Sequence, residues 1–124
     1  DLFAGSGQLG IEALSRGAAH CTFVDKGREP VSVIRENLKK TRLEERAEVV
    51  QADYSSYLKT CRRQFDLILL DPPYAEIFLE TALKIISEID ILTNSGIIVC
   101  ERSPFRTTFR VLCVTGITVT ARLR

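Results

Sequence analysis

The sequence lacks methionine and tryptophan, has a single histidine, and contains four cysteines that lie far apart. Because none of the cysteines forms a C-x-x-C pair and His20 is the only imidazole, the ligands of a zinc site are missing, and we expect reduced cysteines and no metal. A membrane-spanning helix needs about 20 apolar residues, and no apolar run in the sequence approaches that length. The first residues also lack the pattern of a secretory signal, in which a charged segment precedes an apolar one. These absences predict a cytoplasmic protein with no membrane contact.

The remaining composition is that of an ordinary folded domain. With 124 residues, of which 45% are hydrophobic and 27% charged, the chain is long enough to bury a core and differs from disordered or collagen-like sequences. We therefore expect a single domain over residues 1–124. The lack of methionine, and a first residue that already belongs to a strand before a glycine loop, lead us to expect that this domain is truncated at its amino terminus.

The charges are unevenly distributed, although the net charge is only +1. The segment after Glu101 contains five arginines and no acidic residue, so it carries +5 and the rest of the chain carries −4. A basic segment of this kind suits binding to a polyanion, but arginines on solvated strands are also common without such a partner. Charge alone therefore leaves nucleic-acid binding open.

The first ten residues, DLFAGSGQLG, have the pattern of a strand end that runs through a glycine turn into a helix. Gly5, Gly7 and Gly10 have the spacing G-x-G-x-x-G, which permits a tight turn, close approach of a ligand and close helix packing. A dinucleotide would place its anionic pyrophosphate over this turn, whereas S-adenosylmethionine carries an ammonium and a sulfonium group. The carboxylate of Asp1 favours the cationic ligand by about 4 kcal/mol for one charge pair before desolvation. We therefore predict an S-adenosylmethionine site, with a turn that binds nothing as the alternative.

Strand and helix patterns alternate along the chain, which predicts an α/β protein with a doubly wound, mostly parallel sheet. Short apolar runs predict strands at residues 21–24, 47–51, 65–70 and 97–101. Helical periodicity predicts a first helix that ends at Arg16 and Gly17, a second from Pro30 to about Lys40, a third over 54–61, and a fourth whose apolar face has Ile77, Thr81, Ala82, Ile85 and Ile89.

Two features of the sheet are predicted in more detail. The run FDLILL at residues 65–70 is nearly continuous in apolar residues, as expected for a strand that is covered on both faces. Residues 94–96 (Asn-Ser-Gly) predict a turn before the following strand. The carboxyl-terminal segment predicts an antiparallel hairpin of residues 107–114 and 117–122, with its turn at Thr115 and Gly116.

Acidic residues follow the predicted strands at the edge where parallel sheets bind ligands. Asp25 comes about twenty residues after the glycine turn, where dehydrogenases and methyltransferases have an acid that accepts hydrogen bonds from ribose hydroxyls. The alternative is a solvated loop residue paired with Lys26 or Arg28. Asp53 could accept a hydrogen bond from an adenine amino group or cap the helix that follows it. Both roles could coexist only if the two carboxylate oxygens divided them.

The most specific motif is Asp71, Pro72, Pro73 and Tyr74, directly after the apolar run. The prolines fix the backbone, so that the carbonyl of Pro72 can be presented rigidly to a pocket. The ring of Tyr74 can stack on a base turned out of its helix, which is worth about 1 to 3 kcal/mol. The Asp71 carboxylate and the Pro72 carbonyl could accept the two hydrogens of an exocyclic amine and orient its lone pair. The alternative is a turn that merely ends the strand.

Taken together, several stretches of the sequence resemble the RsmD family of bacterial methyltransferases: residues 1–7 (DLFAGSG), 10–17, 23–26 (FVDK), 35–38 (RENL), 51–53 (QAD) and 70–75 (LDPPYA). The resemblance covers about residues 1–103. It implies a Rossmann-like class I methyltransferase fold and transfer of a methyl group from S-adenosylmethionine to the exocyclic amine of a guanine in small-subunit ribosomal RNA. The expected partner is the RNA or a small-subunit assembly intermediate.

The resemblance also assigns roles to individual residues. Asp1, Gly5 and Gly7 would line the methionine end of the cofactor, Asp25 the ribose and Asp53 the adenine. Further cofactor-binding positions beside these are Phe3, Lys26 and Tyr54. The target base would contact the catalytic motif of residues 71–74. The family usually has glutamate where this chain has Asp25, so a shorter side chain would have to reach the ribose.

Three other functions remain as alternatives at this point. A DNA adenine methyltransferase would use the same catalytic motif. An NAD-dependent oxidoreductase would fit the glycine spacing and Asp25, but it would leave Asp1 and residues 71–74 without a role. A non-catalytic RNA-binding remnant would fit a truncated chain. The sequence leaves the target nucleotide and the oligomeric state undetermined.

Overall fold

A computed structural model describes residues 1–73, 76–100, 109–113 and 117–121. The chain divides into two compact units, Asp1–Tyr57 and Leu58–Arg124, and the single domain stays a prediction. Helices and strands alternate up to the fourth strand, and two further strands follow. Their order is α1 (Gln8–Ser15), β1 (Cys21–Asp25), α2 (Arg28–Thr41), a short 3-10 helix (Glu44–Arg46), β2 (Ala47–Gln51), α3 (Tyr54–Thr60), β3 (Phe65–Leu70), α4 (Glu76–Glu88), β4 (Leu92–Cys100), β5 (Phe109–Cys113) and β6 (Ile117–Ala121). None of the helices in these ranges is long and apolar enough to cross a membrane.

The first unit contains β1 and β2, which pair in parallel with Cys21 opposite Ala47 and Asp25 opposite Gln51. The strand predicted at 47–51 is confirmed, and β1 extends one residue beyond its predicted end. Parallel neighbours need a crossover connection, which α2 supplies. The apolar stripe of α2 is buried as its periodicity predicts, at Val31, Ile34 and Leu38. The core of this unit combines Ala4, Leu14, Cys21, Phe23, Ile34 and Leu38.

The opening residues form no regular strand, contrary to the prediction of a strand end, but they lie along β1. The amide of Ala4 donates to the carbonyl of Val24 at 3.0 Å, and the amide of Val24 donates to the carbonyl of Asp1 at 2.9 Å. The nitrogen of Asp1 also donates to the carbonyl of Thr22 at 2.9 Å, so three hydrogen bonds join the opening residues to β1 although they form no regular strand. These bonds set the glycine turn directly beside the end of β1.

The ends of the first two helices show one prediction confirmed and one wrong. Helix α1 ends as predicted, because the amides of Gly17 and Ala18 return to the carbonyls of Leu14 and Ala13, and Gly17 has a φ of 109°. Helix α2 begins at Arg28, not at Pro30. Proline fits this later position because the amides of the first helical turn have no partner within the helix.

The second unit contains a sheet with the strand order β3-β4-β5-β6. Strands β3 and β4 are parallel, whereas β4 with β5 and β5 with β6 are antiparallel. The predicted bounds of β3 are confirmed, and β5 and β6 form the predicted antiparallel hairpin. The predicted turn at residues 115–116, and residues 107, 108, 114 and 122 of the predicted strands, lie outside the described residues.

Two predictions about this sheet are wrong. Strand β4 begins at Leu92, so residues 94–96 lie inside it and not in a turn before it. They form an irregularity, because the partners of Phe65 and Leu67 are Leu92 and Ile97, so that β4 contains extra residues at this point. Strand β3 is not covered on both faces, since Ile68 and Leu70 are buried while Leu67 is 40% exposed. An apolar run does not say which alternating side chains will be covered.

Helix α4 forms where expected, but its buried face differs from the prediction. Leu79, Ala82 and Ile86 are buried, whereas Ile77 is 77% exposed and Thr81 is also exposed. Both sets follow helical spacing, and this helix has apolar residues on more than one side. The periodicity therefore predicts the helix and the buried Ala82 correctly, but it places the exposed Ile77 and Thr81 on the buried face.

Candidate cofactor and catalytic site

The glycine turn has the left-handed backbone that its glycines allow. Gly5 has a φ of 56° and Gly7 a φ of 82°, values that residues with a side chain rarely adopt. The amide of Gly7 donates to the carbonyl of Ala4 at 2.7 Å and closes the turn. Gly10 serves packing, since a Cβ there would lie 2.3 Å from the ring of Phe23. The structure therefore shows the predicted tight turn and the predicted close packing at Gly10. It also leaves the space beside Gly5 open, as close approach of a ligand requires.

Asp1 lies at the amino terminus of α1. Its Oδ2 accepts a hydrogen bond from the amide of Gly10 at 3.1 Å, in the first turn of that helix. Its Oδ1 is buried and has no hydrogen-bond partner within the described ranges. The first amides and the dipole of a helix attract anions, and here the protein's own carboxylate occupies that position. A second anion such as a pyrophosphate would be repelled there, whereas a cationic group could pair with Oδ1.

Asp25 connects the glycine turn to the turn after β1. Its Oδ2 accepts the amide of Gly5 and its Oδ1 accepts the amide of Gly27, both at 2.9 Å. It forms no ion pair with Lys26 or Arg28 in the described part of the chain, so the solvated-pair alternative is not observed. A carboxylate oxygen has two lone pairs, so each one can still accept a ribose hydroxyl.

Asp53 caps helix α3 with one oxygen only. Its Oδ2 accepts the hydroxyl of Ser55 at 2.7 Å and the amides of Ser55 and Ser56 at 3.0 and 3.4 Å. The Ser55 hydroxyl, the two amides and the nearby ammonium of Lys26 together keep the pKa of Asp53 below its usual value. The cap is therefore present, and the division between two oxygens that an additional adenine contact requires is available through Oδ1.

The other predicted cofactor residues of the first unit lie next to these acids. The rings of Phe3 and Tyr54 are 5.0 Å apart between centroids and tilted by 41°. Both side chains are half-buried, so they form a partly exposed aromatic pair beside the capped helix. Lys26 is exposed, and its carbonyl accepts a hydrogen bond from the side chain of Gln51 at 3.4 Å. The structure thus groups Phe3 with Tyr54 and Lys26 with Asp53.

The predicted catalytic motif belongs to the second unit. Asp71 follows β3 directly and is exposed, yet burial of its carboxyl group raises its pKa above the usual range. Pro72 is buried and Pro73 is exposed. Tyr74 lies outside the described residues. That these residues meet the glycine turn over a shared ligand stays a prediction.

One contact to the glycine turn has no counterpart among the sequence-based predictions. The side-chain amide of Asn37, on α2, donates to the carbonyl of Ser6 at 2.9 Å. Asn37 lies in a stretch that resembles the RsmD family, but one amide among the charged residues of a helix has no pattern that would indicate its role.

In the described ranges, no group of three or more histidine, cysteine, aspartate or glutamate residues could hold a metal ion.

Comparison with known protein families gives a match over nearly the whole chain. The model of the family described as conserved hypothetical protein 95 matches residues 1–115. YlbH of Bacillus subtilis, whose name assigns it provisionally as an rRNA methyltransferase, is 44% identical over 104 residues, which are 82% of this chain and 56% of that protein. Ribosomal RNA small subunit methyltransferase D of Haemophilus influenzae is 36% identical over 104 residues, or 82% of this chain and 54% of that protein.

Solved structures extend the comparison to the fold. A structure from Escherichia coli, named provisionally as the methyltransferase yhhF, has a TM-score of 0.75 and 31% identity, with 81% of this chain and 56% of that chain covered. The chain spans about half the length of the curated relatives it matches.

Proposed function

This chain belongs to the RsmD family and has the Rossmann-like α/β fold of class I methyltransferases, and we propose that it binds S-adenosylmethionine and methylates small-subunit ribosomal RNA. We further propose that the acceptor is the exocyclic amine of a guanine. The names of the relatives support ribosomal RNA as the substrate class. The amine as acceptor is supported by the catalytic motif at residues 71–74.

The observation that carries the cofactor proposal is the position of Asp1. Its Oδ2 is engaged by the amide of Gly10 at 3.1 Å, while its Oδ1 is buried and lacks a partner in the described part of the chain. A buried carboxylate oxygen without a partner is costly, and a cationic ligand would relieve that cost. The ammonium group of the methionine portion has the required charge and donors. A dinucleotide would instead bring a second negative charge to the same helix terminus.

The remaining residues of the first unit fit the nucleoside portion. Asp25 has one free lone pair on each oxygen for the ribose hydroxyls, beyond the amides that it already accepts. Asp53 has Oδ1 for an adenine amino group, because its cap uses Oδ2. The half-exposed rings of Phe3 and Tyr54 offer apolar surface at the start of α3, the helix that Asp53 caps. When bound, S-adenosylmethionine supplies a methyl group on a positively charged sulfur.

The proposed role of the chain's own residues in catalysis is to orient and stabilise the target amine. The Asp71 carboxylate would accept one amine hydrogen and the Pro72 carbonyl the other, so that the nitrogen lone pair faces the methyl donor. Positive charge then develops on the nitrogen, and the Asp71 carboxylate stabilises it and can take up the released proton. Tyr74 would hold the base by stacking.

The test is single-turnover methyl transfer from labelled S-adenosylmethionine, with the full-length parent protein that contains this chain. The substrates are undermethylated small-subunit particles, the naked RNA and an unmethylated DNA duplex, and digestion to nucleosides identifies the product. We expect N2-methylguanosine from the ribosomal substrates only. Label in N6-methyladenine of the duplex would instead support the DNA adenine methyltransferase, and no transfer to any nucleic acid would contradict the proposed function.

Variants separate catalysis from binding in this assay. Asp71→Ala should reduce the rate about a hundredfold to a thousandfold with little change in cofactor affinity, because its interaction strengthens only in the transition state. The matched control is Asp66→Ala, which removes an exposed acid on β3, the strand that Asp71 follows; its Oδ1 accepts the hydroxyl of Thr93 at 3.0 Å. Tyr74→Ala should weaken base placement and Tyr74→Phe should have a mild effect. An Asp71→Ala rate close to the parental rate would refute the catalytic assignment.

A further inference from the structure

The glycine turn is held by hydrogen bonds at both ends of two of its peptide groups. In the peptide between Ala4 and Gly5, the carbonyl accepts the amide of Gly7 at 2.7 Å and the amide donates to Asp25 at 2.9 Å. In the peptide between Ser6 and Gly7, the amide makes that same 2.7 Å bond and the carbonyl accepts the side-chain amide of Asn37 at 2.9 Å. Each peptide plane is therefore restrained by a side chain from another element.

The peptide group between Gly5 and Ser6, which lies between these two, is not restrained in this way. Neither the carbonyl of Gly5 nor the amide of Ser6 has a hydrogen-bond partner in the described ranges. Gly5 is half-buried and Ser6 is exposed. This unpartnered group is available to a ligand, and its direction depends on the two restrained planes beside it.

We propose that Asn37 is a positioning residue for the cofactor, which fixes the Ser6–Gly7 peptide and so holds the glycine turn in its ligand-binding form before the ligand arrives. The inference rests on the proposed S-adenosylmethionine site. Asn37 reaches the turn from α2, 31 residues further along the chain.

The backbone at Gly7 shows why this restraint matters. Its φ is 82°, and glycine visits positive and negative φ with similar ease. A peptide group next to such a residue can rotate unless both of its polar ends are held. Without Asn37, only the bond from Gly7 to Ala4 opposes rotation, and part of the binding free energy must then be used to order the turn.

The packing of α2 does not depend on this contact. Val31, Ile34 and Leu38 are buried and attach the helix to the core, whereas Asn37 is only half-buried and its bond to Ser6 is exposed to solvent. Removal of the amide should therefore alter the turn far more than the stability of the protein. A residue that served only the fold would show the opposite balance.

The experiment compares Asn37→Ala and Asn37→Asp with the parent, in the full-length protein. Asn37→Asp keeps the shape of the side chain but cannot donate a hydrogen bond, so it tests the bond and not the volume. The matched control is Thr41→Ala, because within the described residues the Thr41 hydroxyl bonds only to carbonyls of its own helix, those of Asn37 at 2.8 Å and Leu38 at 3.2 Å. Calorimetry with S-adenosylhomocysteine, thermal unfolding and hydrogen exchange of the Gly7 amide are the readouts.

We expect both Asn37 variants to bind S-adenosylhomocysteine about threefold to tenfold more weakly, the range for one neutral hydrogen bond. Exchange of the Gly7 amide should accelerate without ligand, KM for the cofactor should rise with kcat little changed, and Thr41→Ala should match the parent. Unchanged affinity in both variants, or a loss that follows from unfolding alone, would overturn the inference while leaving the cofactor site intact. A parent that does not bind the probe would overturn the proposed function itself, and the inference with it.

Discussion

Oδ2 of Asp25 lies 2.9 Å from the backbone nitrogen of Gly5, so the acid predicted to bind the ribose is also an anchor of the glycine turn. Its other oxygen holds the amide of Gly27 at the same distance. The short side chain of Asp25 is thus held between two backbone amides. Asp25 therefore combines a structural contact with a proposed ligand contact.

Replacement of Asp25 should consequently affect both binding and folding. Asp25→Ala removes the acceptor for two ribose hydroxyls and should weaken S-adenosylhomocysteine binding by about 1.5 to 3 kcal/mol, the range for hydrogen bonds to a charged group. It also leaves the amides of Gly5 and Gly27 without their partner, so thermal unfolding should occur at a lower temperature. Glu29→Ala, which removes an exposed acid at the start of α2, is the control. An unchanged dissociation constant would limit Asp25 to the structural role.

Gly10 tests the packing of α1 against β1. A Cβ there would lie 2.3 Å from Cε1 of Phe23 and 2.8 Å from Sγ of Cys21, and the Phe23 ring is fully buried. Gly10→Ala should lower the free energy of unfolding by about 1 to 3 kcal/mol, because overpacking outweighs the better helix propensity of alanine. Denaturant unfolding measures it, with Gln8→Ala as an exposed control on the same helix. Stability equal to or above that of the parent would show that the core adapts to the methyl group.

The sequence predicts the elements of this protein better than their orientation. Strand β3 has its predicted bounds because six mostly apolar residues between polar neighbours have the length of a strand and are too few for a typical helix. The periodicity of α4 predicts the exposed Ile77 on the buried face, because an apolar-rich helix contains more than one stripe with helical spacing. Residues 94–96 have turn composition but lie within β4, where they are accommodated by the register shift against β3.

For the candidate site too, the sequence predicts some features and not others. The glycine turn and the positions of Asp25 and Asp53 after β1 and β2 could be predicted, because these two strands are parallel and their carboxyl ends lie at the same edge. The bonds from Asp25 to Gly5 and from Asn37 to Ser6 could not, because they join backbone groups to side chains far along the chain. Such contacts depend on the folded turn and leave no pattern in composition or periodicity.

The raised pKa of Asp71 gives a prediction about pH. Partial burial disfavours the carboxylate, so the folded protein keeps this proton to a higher pH than the unfolded chain does. Methyl transfer should fall on acidification with a midpoint above about 3.9, the ordinary value for aspartate. The measurement is single-turnover rate against pH, with cofactor kept saturating.

The same shift has a consequence for stability, with a definite sign. Below the unfolded pKa both states are protonated and the group has no effect, whereas above the folded pKa the partly buried charge of Asp71 lowers stability. Asp71→Asn should therefore be more stable than the parent at neutral pH, and this difference should disappear on acidification. Equal or lower stability of Asp71→Asn at neutral pH would show that the carboxylate is not penalised by burial.

We propose that the carboxylate of Asp1, at the amino terminus of α1, selects a cationic cofactor over an anionic one. Calorimetric titration of the full-length protein with S-adenosylhomocysteine and with NAD, at the same concentrations and ionic strength, measures this selection. We expect saturable binding of S-adenosylhomocysteine, which retains the ammonium group, and no binding heat with NAD. Saturable binding of NAD together with no response to S-adenosylhomocysteine would contradict it.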